Sequence, residues 1–526
     1  MYYFIRHYDI FRALLLISAT AFNETFLWMI YQLAIYPRLL SPLRHLPEPK
    51  SSRFFTGESF NIFITPSMTT TRKWINETPN DGLIRFRTLW GVDSLMVTSP
   101  ELLGELLISK AYDYTKRPWL AKVLALVLGN GIIFAEGAEH KRQRKHLIPP
   151  FAYSRIKELY PLFWKQTCDA TAILSSVVQD QKPIQINDWA SRLTLDIIGE
   201  AGMGQSFQAV SKPTDNELYG AYATVFKQSP KQQARQIVRR LVRDFFSSRL
   251  PYFEQWFPLD PNNPAVRSIR LIRRLTREII ASGKASIDPL AAGGGRQQAR
   301  IDVINAAVGS QAFSEEELVN QMMTFLLAGH ESTASALTMA CYYFCKHPEV
   351  QDKLRAEIRA TLPSPSSSST IDAARIRSQP YLMAVVEEVM RIAPAVPISG
   401  RVAVTDTWIG KNQFVPKGTT VILASAAINT SKELWGPDAL EFKPERWLNG
   451  TIPKSPFANM TFLHGPRSCM GEDFARGVFA CVVAAWVGRF EMEFEDPDYK
   501  PVFAPATLNI RLEGGMGIKL RPIDGW

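Results

Sequence analysis

The sequence predicts a mainly α-helical fold with small β-sheets, preceded by an amino-terminal membrane anchor. Three observations predict it. Two apolar runs open the chain, helix-type patterning runs from about Thr71 onwards with only short strand-like interruptions, and one long capped helix begins at Ser314.

The apolar runs, 13–22 and 26–36, are separated by Asn23, Glu24 and Thr25. Together they reach the roughly 20 residues that a membrane helix needs. Glu24 opposes this, since a carboxylate in hydrocarbon costs about 2.5–3.5 kcal/mol. A cleaved signal peptide and a helix lying in the interface are the alternatives. No small-residue cleavage motif follows a compact apolar core, which disfavours the first. Residues 37–50 hold Pro37, Pro42, Pro47 and Pro49 among Arg38, Arg44 and Lys50. Proline stiffens the chain, so this stretch reads as a semi-rigid hinge, and its positive charge favours a cytosolic body. The expected division is an anchor over 1–36, a hinge over 37–50 and one folded body over 51–526.

Hydrophobic residues make up 46% of the chain and charged residues 21%, which suits a globular body with a large core. The net charge of +10 comes without a Lys/Arg block or an aromatic-basic repeat, so no nucleic-acid partner is expected. A basic surface facing an anionic membrane or an acidic redox partner is the simpler reading. Five cysteines are too irregularly spaced for a disulfide framework, which implies a reducing compartment. Cys341 and Cys345, four apart on one helix face, read as core thiols.

Within the body, strand-like runs fall near 84–87, 94–98, 419–423 and in the tail, and surface loops near 291–295 and 362–370. Ser314 with Glu317 forms a capping box, and Glu315 and Glu316 sit in the positive first turn. Apolar residues then continue to Phe344, and Lys346, His347 and Pro348 end the helix. That is about 48 Å of helix at 1.5 Å per residue. A helix apolar on nearly all sides is buried or in a membrane; Gly329, His330 and Glu331 at its centre argue against lipid and for a functional interruption.

The strongest chemical signal is Phe462-Leu463-His464-Gly465-Pro466-Arg467-Ser468-Cys469-Met470-Gly471. It resembles, position for position, the haem-binding loop of the cytochrome P450 family (Phe-x-x-Gly-x-Arg-x-Cys-x-Gly). That family is a standard instance of cysteine-thiolate haem ligation. A thiolate suits the task because only the anion ligates well, and its charge favours O–O cleavage. Apolar residues after Cys469 (Phe474, Val478, Phe479) place the sulfur near a helix amino terminus, where N–H groups stabilise an anion. Gly465 and Gly471 permit tight turns and close approach to a flat macrocycle. Arg467 suits a propionate, and Phe462 is expected to cover the sulfur.

The same resemblance extends to further segments. Glu388-Val389-Met390-Arg391 and Phe442-Lys443-Pro444-Glu445-Arg446-Trp447 imply a buried charge network of Glu388, Arg391 and Arg446 behind the haem loop. Ala328-Gly329-His330-Glu331-Ser332-Thr333 resembles the family's oxygen-activating turn, with Ser332 where threonine is more common. A hydroxyl beside a carboxylate makes a short proton relay, so Glu331 and Ser332 are the expected relay residues, with Thr333 as a second hydroxyl. Gly329 should leave space against the iron, and a local opening of the helix should free backbone groups there. The plain alternative is that both hydroxyls only bond back to the preceding turn. His140 and Arg144 stand where the family has tryptophan and arginine, and with Arg401 they are expected at the propionates. Lys141, Arg142 and Lys145 suit docking of an acidic reductase.

The resemblance therefore implies haem b with Cys469 as axial ligand, O2 activation, and electrons from NADPH-cytochrome P450 reductase, with cytochrome b5 as a possible second donor. It places substrate contacts in three mainly apolar regions, 118–134, 395–398 and 506–510, which implies an apolar small-molecule substrate. The segment 231–257 reads as an amphipathic, membrane-facing access region or a packed helix pair. The proline-rich start and Trp435-Gly436-Pro437-Asp438-Ala439 look most like fungal members that tailor terpenoids, polyketides or alkaloids, bound to the endoplasmic reticulum. Alternatives are a peroxide-rearranging haem-thiolate enzyme needing no reductase, a fatty-acid hydroxylase, and a non-enzymatic haem carrier. The Glu331–Ser332 pair disfavours the first and the last.

Overall fold

The computed structural model describes residues 2–117, 125, 128–180, 182–226, 264–287, 307–367, 369–505 and 508–526. The segments 231–257 and 291–295 lie outside the described residues, as do most of 118–127 and residues 506–507. The longer helices are α1 (Tyr2–Ile30), α2 (Ser67–Glu77), α3 (Gly137–Leu147), α4 (Tyr160–Val177), α5 (Ile186–Met203), α6 (Glu217–Phe226) and α7 (Pro264–Ile287). They continue with α8 (Glu315–Lys346), α9 (Pro348–Thr361), α10 (Pro380–Ile392) and α11 (Glu472–Arg489).

Helix α8 starts where the capping box places it. The Ser314 side chain accepts from the Glu317 N–H, and Glu317 accepts from the Ser314 N–H. The helix ends before Pro348 and runs against α5, α7 and α11 through the core. It is continuous through Gly329 and Glu331, so the expected opening is absent. The side-chain hydroxyls explain this: they bond along the helix instead of prising it apart.

A five-stranded sheet has the order β1-β2-β8-β5-β3, built from β1 (Leu83–Arg87), β2 (Asp93–Val97), β3 (Tyr114–Lys116), β5 (Ser399–Ala403) and β8 (Thr420–Leu423). Strands β2 and β8 are parallel, and the other neighbours are antiparallel. A second sheet joins β4 (Ile184–Gln185), β10 (Gly517–Pro522) and β9 (Phe490–Phe494), and β6 (Thr407–Ile409) pairs with β7 (Gln413–Val415). The runs anticipated near 84–87, 94–98 and 419–423 are β1, β2 and β8.

The amino-terminal apolar runs form one helix, α1, which passes into a wider π-type helix, Tyr31–Leu40. Leu15, Leu16, Phe22, Phe26 and Leu27 remain exposed on it. Among the described residues, no helix is long and apolar enough to cross a membrane. Glu24, with the polar residues around it, dilutes the run.

The hinge is not a free spacer. Leu33, Pro37, Ser41 and Leu43 are buried. Arg85 on β1 donates to the Pro37 carbonyl at 2.9 Å and to Asp93 on β2 at 2.7 Å. Asp93 also accepts from the Ser41 hydroxyl. The proline-rich stretch is thus clamped onto the first hairpin by a buried ion pair.

The cysteines match expectation in being unpaired thiols. Burial pushes Cys168 and Cys345 up to about 12 and holds Cys341 well above the usual thiol range.

Candidate functional site

The loop carrying Cys469 is shaped by its backbone. Leu463 and Gly465 take left-handed conformations, at φ +55° and +77°. A short 3-10 turn, Gly465–Arg467, follows, and the Cys469 N–H donates to the Phe462 carbonyl at 2.9 Å. Helix α11 begins at Glu472, so the sulfur precedes a helix amino terminus and accepts from the Gly471 N–H. A Cβ on Gly465 would stand 2.1 Å from the Leu107 carbonyl oxygen. This glycine is therefore required by its left-handed turn and by the close approach to Leu107. A Cβ on Gly471 meets only Phe151, at 4.0 Å.

Cys469 retains accessible surface, yet the protein around its sulfur is dense. Burial comes first in pushing the thiol up to about 11, with the charge of Glu472 adding and the Gly471 N–H and Arg144 opposing. An adjacent metal cation reverses this balance, because a coordinating thiol is deprotonated outright. The Phe462 ring lies under the Arg476 guanidinium at 5.0 Å.

Next to this loop the fold gathers cations. Pairing of β3 with β5 puts Lys116 directly opposite Arg401, an arrangement that like charges disfavour. Arg401 is 4% exposed, and burial, then Arg467, holds it down to about 10. Lys116 is held down to about 7, first by burial, with Arg401, Arg467 and Arg144 also lowering it and Glu136 opposing. Arg467 donates to the Tyr114 carbonyl at 2.9 Å and pairs with Glu136, while its Nε, buried, has no partner. His140 is buried, its Nδ1 3.1 Å from the Tyr112 hydroxyl; burial and the same cations push it down to about 4. Arg144 donates to the Ser468 carbonyl at 2.8 Å and to its hydroxyl at 3.1 Å. It therefore braces the residue before Cys469, a contact that the expectation of a propionate partner did not include.

Sequence reading missed Lys116, Tyr112 and Glu136 in this cluster. The only signal available was the short run Tyr114-Thr115-Lys116-Arg117, whose strand partner is 285 residues away (401 − 116). Buried cations facing one another, with an unpartnered guanidinium nitrogen among them, are what an anionic ligand would satisfy. Together with a metal-competent sulfur, the donor set fits haem, whose propionates supply such anions.

On α8, the Ser332 hydroxyl donates to the Ala328 carbonyl at 2.6 Å, and Thr333 donates to Gly329 at 2.9 Å. Ser332 is partly exposed and Thr333 is 4% exposed, so the Ser332 hydroxyl is the accessible one. A Cβ on Gly329 would stand 2.9 Å from Ile198 Cδ1, so this glycine serves the close packing of α8 on α5. Glu331 lies beside His330.

Two of the regions expected to line a pocket meet each other, and one of them bonds to this helix. The Ile510 N–H donates to the Ala395 carbonyl at 2.8 Å, and the Ser335 hydroxyl donates to the Ile510 carbonyl at 2.5 Å. Ile510 thus reaches α8 one turn beyond Glu331, and Ala395 is joined to it.

The charge network comes together as well. Arg391 donates to both carboxylate oxygens of Glu388, at 2.7 and 2.8 Å, and Arg446 donates to Oε1 at 2.9 Å. Trp447 Nε1 and the Lys443 N–H complete the carboxylate's shell at 3.0 and 2.9 Å. All three charged groups are at most 2% exposed. Arg391 also donates to the Asn429 carbonyl, and Asn429 bonds to Met460 and Thr461 just before the cysteine loop.

Of the expected docking cations, Lys141 and Lys145 are exposed. Arg142 is committed elsewhere: it pairs with Glu139 and Glu317 and donates to the Ala312 carbonyl at 2.6 Å.

A family model described as "Cytochrome P450" matches residues 86–512. The cytochrome P450 monooxygenase sphH of Aspergillus fumigatus is 40% identical over 95% of this chain and 92% of its own length. FUM15 of Gibberella moniliformis is 37% identical over 94% and 91%. The monooxygenase ptmK of Penicillium ochrochloron is 32% identical over 94% and 97%.

Proposed function

Because this chain belongs to the cytochrome P450 family and is a monooxygenase of it, we propose that it inserts one oxygen atom of O2 into an apolar small molecule. The second oxygen leaves as water, with two electrons from NADPH through a separate reductase and two protons. The substrate is a terpenoid, polyketide or alkaloid intermediate of fungal secondary metabolism, in keeping with the fungal sources of its relatives.

Haem, when bound, supplies the oxygen-activating metal centre with a thiolate ligand. Cys469 is its ligand, and the loop's backbone and the Gly471 N–H hold the sulfur in place. Arg401, Arg467 and Lys116 hold the propionates, with His140 beside them, while Arg144 fixes Ser468 and lends positive charge to the sulfur. Glu331 and Ser332 pass protons; to do so the Ser332 hydroxyl turns away from the Ala328 carbonyl. The observation that carries this reading is the convergence of buried Arg401 and Arg467 with half-buried Lys116 beside the loop that presents Cys469.

The exposed apolar face of α1 supports attachment to the endoplasmic reticulum membrane with a cytosolic body. Exposed Lys141 and Lys145 support docking of an acidic reductase, so raising salt should slow reduction of the iron.

The reduced, carbon-monoxide-treated protein should show the red-shifted Soret absorption of a thiolate adduct, and Cys469→Ser should abolish it. A Cys469→Ser protein with unchanged pigment and turnover overturns the assignment. Compounds that accumulate when the chain is removed from its host identify the substrate.

A further inference from the structure

Glu472 opens α11, where a carboxylate suits the positive amino terminus of the helix. It also stands three residues from Cys469. Burial is the main influence that disfavours a thiolate at Cys469, and the Glu472 charge adds to it. The Gly471 N–H and Arg144 act in the opposite sense. The helix end and the sulfur therefore make conflicting demands on this carboxylate.

Arg476, one turn further along α11, meets that conflict. Its Nε and Nη2 donate to Glu472 Oε1, at 3.1 and 3.0 Å. Its Nη1 donates to Glu387 on α10, the residue before Glu388. The same guanidinium lies over the Phe462 ring. One side chain thus joins α10, the first turn of α11 and the start of the cysteine loop. Held by two carboxylates and a ring, its planar fork has little freedom to leave. The Arg476 side chain is 17% exposed and that of Glu472 41%, so solvent screens the pair only in part.

We infer that Arg476 is a positioning residue that offsets the Glu472 charge at the Cys469 sulfur, and so raises the reduction potential of a haem iron bound there. This rests on the reading of Cys469 as the haem ligand. Reduction adds one negative charge to the thiolate-bound centre, so a nearby carboxylate without its cation makes that step harder. Arg476 acts through Glu472 and touches no reacting atom. The plainer account, a clamp between α10 and α11, predicts damage whenever a partner is removed, with no sign that follows charge.

Spectroelectrochemical titration of the full-length, haem-loaded protein, with the carbon monoxide spectrum recorded alongside, tests this. Arg476→Met should lower the midpoint potential by about tenfold in the reduction equilibrium, which is ~59 mV for one electron. Glu472→Gln should raise it. Arg476→Lys keeps the charge and should stay nearer the wild type than Arg476→Met. The double variant Arg476→Met/Glu472→Gln removes both charges and should return close to the wild type, although it breaks more contacts than either change alone. Glu472→Gln is isosteric, so it reports even where Arg476→Met fails to hold haem. With the red-shifted Soret absorption intact, an unchanged or lowered potential in Glu472→Gln overturns the charge offset and leaves the ligand reading standing. So does a double variant further from the wild type than either single one. A wild type without that Soret absorption overturns both.

Discussion

Lys116 and His140 show how single residues register a cluster of like charges. Both are bases whose charged forms the surrounding cations and burial disfavour. If Lys116 holds a propionate, Lys116→Met removes one charge-assisted hydrogen bond, of about 1.5–3 kcal/mol. Haem affinity should then fall by roughly tenfold to a hundredfold, as measured by haem transfer to an apo-globin acceptor. For His140 the sign follows from its depressed value of about 4. Between that value and the ordinary one near 6.5, the unfolded chain binds a proton that the folded chain refuses. The stability it contributes is complete above about pH 6.5 and is lost as pH falls toward about 4. Denaturant unfolding across that range should be less steep in pH for His140→Phe than for the wild type, by up to one proton.

Among the elements, α10 and the segment around Arg446 are joined by the Glu388 carboxylate, which accepts from Arg391, Arg446, Trp447 and the Lys443 backbone. With its partners this carboxylate is satisfied. Removing one leaves charge buried and unpaired, at a cost of about 3–5 kcal/mol. Because Asn429 couples Arg391 to Thr461, the damage reaches the cysteine loop. Arg391→Ala or Glu388→Ala should therefore accumulate without haem, measured as the ratio of Soret to protein absorption. A variant with full haem content would rule out this role. Much of α8 was legible beforehand, since Ser314, Glu317 and Pro348 mark its ends by local chemistry. Its continuity was not, because whether Ser332 and Thr333 bond inwards or along the helix depends on what packs around them.

At the scale of the whole molecule, the amino-terminal helix is fastened to the body and not tethered by a loose linker. Leu33 and Pro37 are buried, and Arg85, Asp93 and Ser41 clasp the chain that follows. A chain lacking residues 1–30 should leave the membrane fraction and retain its carbon monoxide spectrum. One lacking residues 1–43 strands the Arg85–Asp93 pair without Ser41 and the Pro37 carbonyl. It should unfold at lower denaturant concentration, read by intrinsic fluorescence. Equal stability of the two truncations would show that the clasp contributes nothing.

The sequence by itself determined what is encoded at short range. The spacing from Phe462 to Gly471, the bounds of α8 and the strands β1, β2 and β8 each follow from residues a few positions apart, where chain geometry dictates the outcome. Only the tertiary structure decided that Lys116 faces Arg401, that Gly465 makes room for Leu107, and that Arg476 reaches Glu387. The first two join residues hundreds of positions apart, and the third joins α10 to α11. Burial and register are properties of packed neighbours, so no local pattern could reveal them.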